Sequence, residues 1–89
     1  MKAIVANSAA IGCLEIGEIA TPVADSNETL VSVTTISLNR GELRRAEAAE
    51  PGMQIGWDLA GVVQSAARDG SGPAEGTRVV GFSRRMQGW

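Results

Sequence analysis

Residues 55–63 read IGWDLAGVV. A tryptophan and an aspartate stand side by side, and small apolar residues follow at once. The chain holds three aromatic residues, two Trp and one Phe, so an indole beside a carboxylate needs a reason. Residues 59–66, LAGVVQSA, fit a strand, and Gly61 inside it marks a bulge or a close backbone approach.

Working outward, residues 29–38, TLVSVTTISL, are rich in Val, Thr and Ile, which suit a pleated surface. Asn39-Arg40-Gly41-Glu42 then has capping-box spacing. An Asn side chain can accept from the N–H three residues on, and Glu42 can reach back. Leu43, Ala46 and Ala49 recur at about one helical turn, and Pro51-Gly52 closes the segment, which predicts a short helix over 40–49. Residues 2–6, KAIVA, suit a strand entering the core. In 13–20, CLEIGEIA, Leu14 and Ile16 alternate with Glu15, the period of a half-buried strand. Residues 21–28 and 68–76 carry loop and turn residues, and 77–82, TRVVGF, form a last strand. The tail SRRMQGW has no periodicity. About five strands and one small helix predict a mainly β chain, an antiparallel barrel or partly rolled sheet.

Composition removes several functions. The net charge is −2, so no broad basic surface serves nucleic acid. Arginines gather at Arg40, Arg44 and Arg45, at Arg78, and at Arg84 and Arg85; a solvated face is the first reading, an anion contact the second. With no histidine, a Ser-His-Asp triad is impossible from this chain alone. The lone Cys13 forms no internal disulfide and reads as a small buried hydrophobe. One Cys and scattered carboxylates supply a tetrahedral zinc site poorly. The N-terminal apolar stretch is broken by Asn7 and Ser8, too early for a leader peptide. No run reaches the roughly 18 apolar residues of a membrane span, and a cytoplasmic protein is the expectation. No Gly-x-Gly-x-x-Gly follows a strand and no Walker sequence occurs.

Four segments in order, MKAIV at 1–5, LVSVTTISLNRGEL at 30–43, GWDLAGVV at 56–63 and EGTRVVGF at 75–82, resemble the N-terminal, GroES-like domain of medium-chain dehydrogenase/reductases. The resemblance spans nearly the whole chain. It implies a GroES-like, partly open β-barrel over residues 1–89 that shapes the substrate side of a cleft. The cofactor is bound by a following Rossmann domain, which this chain lacks. Zinc-dependent members hold a Cys where Asn39 stands and His-Glu where Trp57-Asp58 stands. An indole N–H offers zinc no lone pair, and an amide is a poor ligand for that ion. The resemblance therefore points to the zinc-independent, quinone oxidoreductase-like branch, alcohol dehydrogenase-like in its fold and without a metal.

That branch implies NADPH as cofactor, with Asn39 near the nicotinamide, and a quinone or enone substrate, with Trp57 and Asp58 beside it. It also implies a homo-oligomer. A Tyr proton donor used by several enoyl reductases of the branch has no counterpart, since Leu43-Arg44-Arg45 occupies that stretch and the chain has no Tyr. The usual Gly-Asp-Arg-Val is here Gly76-Thr77-Arg78-Val79. The chain is expected to be one part of a longer enzyme, inactive by itself; the alternative is a stand-alone barrel that binds or scaffolds without catalysis. Each site residue also has a structural reading: Trp57 as a plug in the barrel mouth, Asp58 as a carboxylate satisfied by backbone N–H groups or an Arg, and Asn39 as a helix cap.

Overall fold

A computed structural model, describing residues 1–85 and 88, arranges the chain as two antiparallel sheets and one helix. Strand β1, Lys2–Ala6, pairs with β2, Leu14–Glu18. Strands β3, Leu30–Thr35, β4, Asp58–Ser65, and β5, Arg78–Phe82, form the second sheet in the order β3-β4-β5. Helix α1 runs Arg40–Ala48. The predicted elements are all present: β1 has the expected ends, β4 lies one residue earlier, at Asp58–Ser65, and the others are trimmed by one to three residues at one or both ends. The strand expected from Cys13 starts at Leu14 because a single 3-10 turn, Ile11–Cys13, occupies its beginning. The last part of the tail, residues 86, 87 and 89, lies outside the described residues.

The two sheets are joined by the chain leaving α1. Residues 52–55 run along the free edge of β1. The Gly52 N–H donates to the Ala6 carbonyl at 2.8 Å, the Ala6 N–H to the Met53 carbonyl at 2.8 Å, and the Ile55 N–H to the Ile4 carbonyl at 3.1 Å. A strand edge otherwise open to unwanted pairing is thereby covered. The same segment carries Ile55 to full burial and delivers Trp57 and Asp58 to the start of β4. Ile55 packs with Ala6 and Ala46, and Cys13, Leu14, Ile36 and Trp57 lie against that cluster. Burying the Ile55 side chain contributes about 1.5–3 kcal/mol.

The core is smaller than the sequence suggests. Ala3, Val5, Ala6, Ala46, Ile55, Val63 and Ala67 are its buried apolar members. Ile16, expected to face inward from a half-buried strand, is 75% exposed. Alternation sets which residues share a face, but the core cluster covers that face of β2 at Leu14 and does not reach Ile16. Phe82, at 65%, and Val80, at 85%, are likewise open on β5. The result is a partly open barrel with a broad groove of about 890 Å³ whose walls include Val31, Val33, Leu59 and Val79. At one side of this groove Arg85 donates to Asp25 at 2.8 Å and pairs with Glu28 at 3.3 Å. The Asp25 hydrogen bond first, then the Glu28 charge, holds the guanidinium pKa above its ordinary value. The other arginines, Arg40, Arg44, Arg45, Arg68, Arg78 and Arg84, are exposed, as a solvated face requires. Among the described residues no helix is long and apolar enough to cross a membrane.

Candidate functional site

The site is built where the end of β3, the start of α1 and the start of β4 meet. Asn39 is the N-cap of α1 in extended conformation, and Glu42 is its third helical residue. The expected capping box is in place, with the Glu42 carboxylate accepting from the Asn39 backbone N–H at 3.0 Å. Such caps satisfy N–H groups that the helix itself leaves unpaired.

Glu42 does more than cap. Its side chain is fully buried, the sole buried charged residue among those described. Oε2 also accepts from Asn39 Nδ2 at 3.1 Å, and Oε1 accepts from the Trp57 backbone N–H at 2.9 Å. A carboxylate withdrawn from water is tolerable only when its oxygens are met by donors. Here three N–H groups from two distant segments supply them. One side chain thus fixes the start of α1 against the entrance of β4.

Asp58 completes the arrangement from the other side. Its Oδ2 accepts from Asn39 Nδ2 at 2.8 Å and from Ser37 Oγ at 2.8 Å. The expected partners were backbone N–H groups or an arginine. Side chains took their place because the last residues of the β3 segment pass directly beside the first residue of β4. The Asn39 amide lies between two carboxylates, which settles its orientation: the NH₂ faces both, and both its hydrogens are engaged.

Trp57 is half-buried. Its ring lies on the backbone of Gly41, where a Cβ would come within 2.7 Å of Cη2, so a side chain at 41 would displace the indole. Phe82 tilts against it with ring centroids 6.2 Å apart and planes at 33°, within the spacing of favourable aromatic pairs. The Trp57 carbonyl accepts from the Ser83 N–H at 2.6 Å. Both ends of this residue's backbone are therefore held.

The structure thus brings Asn39, Trp57 and Asp58 into one hydrogen-bonded neighbourhood. It does not place all three on one hollow. A depression of about 410 Å³ beside β4 is lined by Asp58 and Ser37 with Thr35, Ile36, Ala60 and Val80 among its walls, but by neither Asn39 nor Trp57. Ser37, Glu42 and Phe82 belong to the site and were not singled out for it in the sequence. Glu42 carried the capping signal alone. Its bond to a backbone N–H fifteen residues away leaves no mark in side-chain pattern. Among the described residues no three His, Cys, Asp or Glu side chains gather as a metal cluster.

No protein-family model matches the chain, and no curated protein does either. Among solved structures it is similar to the quinone oxidoreductase from Coxiella burnetii, with a TM-score of 0.79 and 24% identity over 94% of this chain. The fold is that of a GroES-like partial β-barrel. The GroES-like chain spans 30% of the length of that solved structure. At this identity the likeness speaks for the fold, and the surviving geometry is that of the backbone.

Proposed function

We propose that this chain is the substrate-side domain of a zinc-independent, NAD(P)H-dependent oxidoreductase that transfers hydride to a quinone or an activated alkene. The observation that carries the reading is the closed hydrogen-bond unit of Asn39, Glu42, Trp57 and Asp58. Within it Asn39, Trp57 and Asp58 stand where the resembled family's zinc-dependent members have Cys and His-Glu, and Glu42 ties them together, on a backbone similar to that of a quinone oxidoreductase. The indole N–H offers a cation no lone pair, and the Asn39 amide could offer only its oxygen, a poor ligand for zinc.

NADPH would supply the hydride and would be held mainly by a cofactor domain outside these residues. Within this chain Asn39 would meet the nicotinamide as a packing surface, since its amide hydrogens are engaged by Asp58 and Glu42. Phe82, open on β5 and backed by the Trp57 ring, gives an aromatic wall of the kind that stacks on a flat conjugated ring. Glu42 keeps that wall and the Asn39 amide in register, so the substrate ring would be oriented by packing more than by charge.

The test is turnover. The full reading frame that contains this chain is purified and mixed with NADPH and a panel of simple quinones and enones. NADPH absorbance is expected to fall only when an acceptor is present. No consumption across the panel, from a folded protein, would refute the enzyme reading and leave the barrel as a binding or scaffold module.

A further inference from the structure

The hollow beside β4 has a polarity that a plain quinone does not match. Its volume, about 410 Å³, lies in the range of small-molecule pockets, roughly 300–1,000 Å³. Aliphatic side chains, Ile36, Ala60 and Val80 among them, make most of its wall, and Asp58 is its one charged group. Oδ2 of Asp58 is saturated by Ser37 and Asn39. No described donor meets Oδ1, and the three ion pairs among the described residues all lie elsewhere. A carboxylate oxygen accepts and cannot donate. A bare quinone or enone carbonyl also only accepts, so the two repel.

We propose that this hollow selects a ligand whose apolar body carries a hydrogen-bond donor, an ammonium or a hydroxyl, set against Oδ1 of Asp58. The inference rests on the oxidoreductase reading insofar as it names the substrate class: a quinone or enone bearing such a donor arm, in preference to the unsubstituted ring. A charge-assisted hydrogen bond in a partly desolvated wall supplies the discrimination.

Asp58→Asn is the informative substitution. It keeps the shape of the side chain. Because Asn39 and Ser37 both donate to the Oδ2 position, the new amide oxygen takes that place and the NH₂ takes the place of Oδ1. The wall changes from acceptor to donor.

The experiment is an amide chemical-shift titration of the protein and of D58N with three probes: benzylamine, benzyl alcohol and benzaldehyde. For the unaltered protein, benzylamine and benzyl alcohol are expected to shift the amides of residues 35–37, 58–60 and 80, and benzaldehyde to bind at least about tenfold more weakly. In D58N benzylamine is expected to lose about tenfold in affinity while benzaldehyde gains. Equal binding of the three probes, the same order in D58N, or no shift at those amides overturns the proposal. Absence of NADPH turnover would overturn the oxidoreductase reading without altering this binding order, so the two failures are separable.

Discussion

Replacing Glu42 with alanine is expected to lower the unfolding free energy by about 3–5 kcal/mol, the scale of leaving several buried donors without their acceptor. The substitution removes the acceptor of three N–H groups: the Asn39 backbone, the Asn39 amide and the Trp57 backbone. Each donor left without a partner away from water costs about 1–3 kcal/mol, and the vacated volume adds to that. A small domain has a total stability near the lower end of about 5–15 kcal/mol, so E42A is expected to be largely unfolded at growth temperature. E42Q retains one acceptor oxygen but turns an NH₂ toward a donor, and an intermediate loss follows. Urea unfolding of the three proteins, followed by Trp fluorescence and by circular dichroism, measures the order. A loss below about 1 kcal/mol for E42A would show that water or a rearranged helix start replaces the carboxylate at little cost.

The second large effect is at Gly61. This residue lies in the central strand β4, opposite Val33 of β3 and Val79 of β5. A Cβ there would fall inside contact distance of the Ser32 carbonyl oxygen and 3.0 Å from Val31 Cγ1. The obstructing atom is backbone, so no rotamer change relieves it. Strand β3 must move away, and its ladder with β4 already shifts register between Val33 and Thr35. Gly61→Ala is expected to cost about 3 kcal/mol or more, the upper end of overpacking penalties. It is also expected to reduce the β signal in circular dichroism. A variant as stable as the parent would mean that β3 and β4 do not approach as closely as described here.

The class of fold was legible because its signals are local. The β-branched run from Leu30, the Asn39–Glu42 cap and the glycine-dense turn at 68–76 each act over a few residues. Gly61 announced a close approach for the same reason, since its lack of a side chain is visible in the sequence. The division into two sheets was not legible. It depends on residues 52–55 adding to the edge of β1, a segment with no strand pattern of its own, and its hydrogen bonds come from backbone. The exposure of Ile16, Val80 and Phe82 was hidden too, because alternation tells which residues share a face and not whether anything covers it.

The geometry of the candidate site was half legible. Asn39, Trp57 and Asp58 were chosen by resemblance, and the structure joins them. Glu42, which does the joining, showed only its capping role. Asp58 was expected to find an arginine or backbone donors and instead took Ser37 and Asn39. These partners depend on how β3 exits toward α1, a turn geometry that no residue in 36–39 dictates alone.

We propose that Asn39, Glu42, Trp57 and Asp58 form a polar unit that works without a metal. The most direct test of this is the zinc content of the purified, untagged full-length protein, with NADPH-dependent turnover recorded before and after exhaustive chelation. The account predicts far less than one zinc per chain and a turnover that chelation leaves unchanged. One zinc per chain, with activity lost on its removal and regained on its return, would contradict it.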